Sequence, residues 1–326
     1  MILIAVSTLL ILAPLQARFA SDTTFPVSPG AKLRIHNQGG DIIVTAWDKN
    51  QVRVQADHSS RSYVDVDIRG SVVEITTKSR RGAGGTSDYT VTVPAWMGLD
   101  LGGMYAEISI DGVRGPVKAS TLEGNITLRG GGESISLETV NGRIEASGAR
   151  GRVSLHAVSD DVIASDIQGD LSVESVSGSI DLRGIDAKSV DAQTVSGDVT
   201  FDGRVTDGGT YAFVTHSGDV TLALPDAVNA TVSVASGSGD VTSSFTLKAE
   251  RETRRRHVYR LGNGGATLDI ETFSGDVDLV RPGELKRRPA SAERDHQLRI
   301  KVKNKNRKHD PDSDDDEEPD SQEDEQ

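Results

Sequence analysis

Four aspartates recur in one local setting, each directly after a glycine and before a valine: Asp198, Asp219, Asp240 and Asp276. Stacked along one edge at a strand spacing of ~4.8 Å, such carboxylates would raise one another's pKa or recruit a hard cation through oxygen ligands. They form the candidate cation column of this chain. The competing account is a set of turn aspartates that hydrogen-bond nearby backbone. Two features favour that account: the corresponding earlier positions are Asn125, Arg143 and Ser179, and the G-G-x-G-x-D spacing of calcium-binding β-rolls is missing.

A second cluster is basic. Arg251, Arg254, Arg255, Arg256 and Arg260 lie within the segment 245–261 and form a candidate grip for anionic envelope polymers or an acidic partner. A solvated hairpin is the plainer alternative. Acid–base hydrolysis of a polysaccharide would need two carboxylates ~5 to 9.5 Å apart in a cleft, usually beside aromatic sugar platforms. Glu138, Asp161 and Asp181 are outward candidates, but aromatic residues make up only 4% of the chain. The seven histidines show neither H-x-x-x-H nor H-E-x-x-H spacing, so no helical zinc site is indicated, although His156 and His216 could approach across coils. The expectation is a chain that is not an enzyme and takes no cofactor.

The elements that must position these residues are short and repeated. The segments Thr121–Leu128, Thr139–Ala146, Ala157–Ala164, Ser175–Leu182, Thr194–Phe201 and Thr215–Leu222 share a T-V-S-G-D-V-T-like pattern. Thr272–Leu279 repeats it, and Ser236–Ser243 is a degenerate copy. The turn position (Gly124, Gly142, Asp160, Gly178, Gly197, Gly218, Gly239) advances by 18, 18, 18, 19, 21 and 21 residues. A near-fixed period of this length predicts a solenoid coil.

Each copy follows a second alternating segment: Ile135/Leu137, Val153/Leu155, Leu171/Val173, Val190/Ala192, Tyr211/Phe213, Val232/Val234 and Leu268/Ile270. Period-two alternation places these side chains on one strand face. Each coil is thus predicted to hold two strands and two turns around a narrow aliphatic core. The turn glycine is expected to supply positive φ, with Asp160 tolerating it in one coil. Between Gly239 and Gly275 the step lengthens to 36 residues, and 245–261 reads as a basic hairpin protruding from the rod, which either covers the distal coils or projects as a binding element.

Residues 30–120 carry longer strands, and Val93–Leu101 (V-P-A-W-M-G-L-D-L) echoes Leu224–Val232 (L-P-D-A-V-N-A-T-V). The region is therefore read as wider rungs of the same solenoid. The organisation expected is a secretory signal at 1–20, a cap with wider rungs at 21–120, regular coils at 121–282 and a disordered tail at 283–326. The signal rests on the apolar run Ile2–Leu15, too short for a bilayer span, which is either cleaved or retained as an anchor. The tail rests on charge: 286–308 holds ten Lys/Arg, whereas 309–326 holds eleven acids and no Lys or Arg. No later stretch is long and apolar enough to span a membrane. A net charge of −13 argues against nucleic acid as a partner, and 34 glycines with no cysteine fit a turn-rich β protein without disulfides.

The S-G-D-V elements, the V-P-x-x-M-x-L-x-L step and the segment Asp111–Ala119 (D-G-V-R-G-P-V-K-A) resemble the bacterial putative-adhesin family, a domain-of-unknown-function group, over residues 30–280. The resemblance implies a β-solenoid of cell-envelope proteins and brings no catalytic residues to carry over. Together these readings lead to the expectation of a secreted, periplasmic or envelope-surface binding module whose partner is an envelope polymer, a glycan or a protein. The alternatives are an envelope scaffold that binds a protein, and a β-helix polysaccharide enzyme.

Overall fold

A computed structural model describes residues 21–79, 85–253 and 256–285. The expected signal at 1–20 and all of the expected tail beyond 285 lie outside the described residues. The chain divides into 1–284 and 285–326, and the account below concerns the first unit.

Alternation of apolar and polar residues makes strands here, and the strands form two sheets of 13 and 14 members among the described residues. A coil contributes one strand to each sheet. In the coil that begins at Ser134, Ser134–Asn141 sends Ile135 and Leu137 inward, and Ile144–Ser147 sends Ile144 and Ala146 inward. The next coil repeats this in parallel register, with Ile135 beside Val153 and Ile144 beside Val162. Like therefore stacks on like from Gly98 to Ala223, and the predicted inward columns are buried throughout this stretch. The core widens at Phe201, Tyr211 and Phe213, whose rings pack with Phe201 to Phe213 centroids 5.1 Å apart. The N-terminal strands join the same two sheets, as the echoed motif predicts.

The order of rungs is not the order of the sequence at either end. Val277–Val280 pairs with Val220–Ala223 on one side and with Val241–Ser243 on the other. The rung of Ala266–Ser274 and Val277–Val280 thus sits between two rungs that precede it in the chain. This corrects the sequential stacking expected from the glycine spacing: the column runs Asp198, Asp219, Asp276, Asp240. At the other end, Ile42–Trp47 lies between Ser87–Pro94 and Ile108–Val113.

The two echoed segments are the links that skip a rung. One carries the chain from Ser87–Pro94 to Gly98–Tyr105, past the rung of Lys32–Gly39 and Ile42–Trp47. The other leads from Val220–Ala223 to Ala230–Ser238, past the interposed last rung. Each must rise two rungs, or ~9.6 Å at the usual strand spacing. They use the same turn, with Met97 N–H donating to Pro94 O at 3.0 Å and Val228 N–H donating to Pro225 O at 3.1 Å. Proline starts both because it presets φ for the turn and ends the strand.

Of the two arrangements open to the hairpin, the strand pairings give the covering one. His257–Leu261 pairs antiparallel with Ala230–Ser238, and Lys248–Glu252 pairs with His257–Leu261, so the segment extends the second sheet rather than protruding. At the opposite end, Ser62–Arg69 and the pair Gln51–His58 and Ser21–Pro26 close the two sheets with antiparallel strands.

Candidate functional site

One corner of every coil is built from the T-V-S-G-D pattern, and each position has a separate task. The first residue points inward: Thr121, Thr139, Thr194, Thr215 and Thr272 are buried. Each hydroxyl donates to the corner carbonyl of the neighbouring rung, as Thr139 does to Gly124 O at 3.1 Å and Thr194 to Gly178 O at 3.0 Å. A buried carbonyl between strands needs such a partner.

The expected positive φ is found at Gly124, Gly218, Gly239 and Gly275 but not at Gly142, Gly178 or Gly197, where the glycine stands for a second reason. At Gly142 a Cβ would fall inside the van der Waals envelope of Gly124 O, so the close approach of these two coils depends on the missing side chain. Asp160, the exception in the column, does not use positive φ; among the described non-glycine residues only Glu133 and Asp166 do.

The aspartate holds the next rung. Asp198 Oδ1 accepts from Asp219 N–H at 3.1 Å, Asp219 Oδ1 from Asp276 N–H at 2.8 Å, and Asp276 Oδ1 from Asp240 N–H at 2.9 Å. Asn125 and Asp161 act likewise on Arg143 and Ser179. The candidate cation column is therefore a ladder of side-chain acceptors for backbone N–H groups, as turn aspartates allow. Among the described residues no three His, Cys, Asp or Glu side chains are placed to hold a metal ion.

The other sequence-derived candidates are dispersed. Arg254 and Arg255 lie outside the described residues. Arg256 folds back on the second sheet, donating to Ser233 Oγ at 2.8 Å and pairing with Asp269 at 2.9 Å and with Glu271. Arg260 pairs with Glu250, and Arg251 is exposed on the hairpin edge. Of the three carboxylates considered for hydrolysis, Glu138 faces outward from one sheet, Asp181 from the other in a pair with Arg183, and Asp161 sits at the corner with Arg143 at 3.3 Å. His156 and His216 are three rungs apart; His156 instead meets Glu174 at 3.2 Å.

The feature that the sequence reading missed is the second position of the pattern. Because the threonine points inward, its neighbour must point out, and this outward position is apolar in rung after rung. Met104, Leu122, Val140, Val158, Val176, Val195 and Phe273 are all exposed, from 37% at Val140 to 62% at Phe273. They account for seven of the eleven exposed large hydrophobic residues among those described. His216 fills the same position in the remaining rung and stacks on Phe273 at 4.8 Å.

Beside this ridge runs a groove whose far wall is the last outward residue of each strand, including Glu138, His156, Glu174 and Gln193. Its bottom is the buried threonine column. One depression lies between Leu122, Val140, Val158 and the wall at Glu138 and His156. A larger one lies between Val195, His216, Phe273 and the wall at Glu174 and Gln193.

Fold and surface define a β-solenoid with an open lengthwise ridge. The chain belongs to the Toastrack family, a domain of unknown function (DUF4097), whose profile matches residues 31–280. Among solved structures it is similar to a putative adhesin from Parabacteroides merdae, with 9% identity and a TM-score of 0.46 over 80% of this chain and 96% of that one. A putative adhesin from Parabacteroides distasonis shows 12% identity and a TM-score of 0.40 over 80% and 96%. A putative cell adhesion protein from Clostridium sporogenes shows 11% identity and a TM-score of 0.19 over 80% and 99%. No curated protein matches the chain. No helix among the described residues is long and apolar enough to cross a membrane.

Proposed function

We propose that this chain is a non-catalytic binding module of adhesin type, secreted or held at the cell envelope, and that its working surface is the apolar ridge with its groove. The observation that carries this reading is the confinement of most exposed large hydrophobic residues to one column. Contiguous exposed apolar surface on a folded protein marks an interaction site. The Asp column serves the fold through its backbone acceptors, and the described arginines Arg256 and Arg260 of the hairpin are engaged within the chain. The separation of Glu138, Asp161 and Asp181 on different faces supports the absence of hydrolytic chemistry.

A protein partner, as in an envelope scaffold, is favoured over a glycan by the character of the ridge. It is aliphatic except at Phe273 and His216, and those two rings stack on each other. Retention of the purified chain on bacterial envelope fragments tests the surface. The variant Val140→Ser/Val158→Ser/Val176→Ser should lose retention, whereas Arg251→Ala/Arg260→Ala should keep it. Equal retention of the valine variant and the native chain would remove the ridge from the reading.

A further inference from the structure

We infer that the ridge receives an amphipathic helix of a partner protein, with apolar residues along one stripe and basic residues on its flanks. This inference rests on the ridge being the working surface. A partner strand cannot be added along this side of the solenoid. The backbone hydrogen bonds of every strand already run from rung to rung, so strand addition is confined to the ends of the sheets. Recognition along the side must use side chains, and the ridge supplies them as a straight apolar row flanked by a groove.

The dimensions fit a helix. The row covers eight consecutive rungs from Met104 to Phe273, which at ~4.8 Å each is ~34 Å. A helix of about 22 residues has that length, and its apolar stripe recurs every turn of ~5.4 Å, close to the rung spacing. Aliphatic side chains in a groove are the usual receptor for such a stripe.

Charge selects the flanks. The corner segments of the ten rungs from His36–Asp41 to Ala235–Asp240, six residues in each, hold twelve Asp/Glu and a single Arg. That residue, Arg143, is already shared by Asp160 and Asp161. Arg256, which reaches the same rim from the hairpin, is taken up by Asp269 and Glu271. The rim aspartates use an oxygen on a backbone N–H, which fixes their position without neutralising them. A field of one sign along an apolar row attracts a cationic partner and steers its approach. The same field opposes a second copy of this chain, whose rim would be equally acidic, and an anionic lipid surface.

The probe is a fluorescent synthetic helix of about 22 residues with leucine at i, i+3, i+4 and i+7 and lysine on both flanks. Anisotropy titration is carried out against the full chain. Binding is expected to weaken about tenfold or more with glutamate-flanked peptide, with Val140→Ser/Val158→Ser/Val176→Ser, and in raised salt. The variant Glu138→Gln/Glu174→Gln should weaken it by a smaller factor and flatten the salt dependence. Equal binding of the lysine and glutamate peptides would overturn the inference while leaving the ridge as a binding surface. No helix binding, with valine-dependent retention on polysaccharide beads, would overturn it in favour of a glycan. Helix binding that ignores the valine variant would overturn both the inference and the reading it rests on.

Discussion

At the residue scale, a five-residue pattern does four distinct physical jobs at one corner. Thr194 donates inward, Val195 faces out, Gly197 permits close approach to the preceding rung, and Asp198 accepts from the following one. These roles separate under mutation. Gly142→Ala drives a methyl group against Gly124 O, a backbone atom with nowhere to move, and should destabilise by about 1–3 kcal/mol. Thr194→Val keeps the shape and removes one hydrogen bond to Gly178 O, which should cost about 1 kcal/mol. Val158→Ser touches no core atom and should leave stability within about 0.5 kcal/mol. Urea denaturation followed by circular dichroism ranks the three. A valine variant as damaging as the glycine variant would mean that the ridge supports the fold rather than standing clear of it.

At the element scale, the sequence specified which face of each strand is buried but not which strand lies next to it. Period-two alternation made the columns at Ile135/Leu137 and Ile144/Ala146 legible. Neighbour identity was not, because Thr215–Leu222, Ser236–Ser243 and Thr272–Leu279 are nearly interchangeable copies and any order buries the same valines. The clue lay in the repeated proline link. Its two occurrences were legible as an echo, but their shared consequence, a rise of two rungs, needed the strand pairings. The ridge was legible in principle from the inward phase of the threonines, yet valine in a strand reads as core by default. The absence of cysteine allows a direct check of rung order. Thr221 lies beside Asp278, which in turn lies beside Thr242. Thr221→Cys/Asp278→Cys should form a disulfide under mild oxidation, since neighbouring strands fall within the ~4.4–6.8 Å Cα range that the bond needs. Thr221→Cys/Thr242→Cys, two rungs apart, should not. The reverse outcome would restore sequential stacking.

At the scale of the whole solenoid unit, a stack of parallel rungs must end, and its last strand offers unpaired N–H and C=O groups to any other chain. Ala230–Ser238 is nine residues long and alternates valine with small residues, a dangerous edge if left open. The hairpin of Lys248–Glu252 and His257–Leu261 covers it. This explains why a basic segment interrupts the repeat: it terminates the sheet with an antiparallel strand, and Arg256 fastens it through Asp269 and Glu271. The interleaved order makes the cover possible, because the chain lays down the outermost rung, folds the hairpin over it, and then returns to fill the gap beneath. Replacing residues 245–264 with a short glycine–serine connection should leave the seven sequential rungs from Gly98 to Ala223 intact while baring Ala230–Ser238. Sedimentation velocity should then show association that grows with concentration and is absent from the native chain under the same conditions. Ser233→Lys, at an outward position of the bared strand, should reduce that association, as charged residues do at natural sheet edges. A deletion variant that sediments like the native chain would show that the hairpin is dispensable as a cap, and would reopen its arginines as a surface for partners.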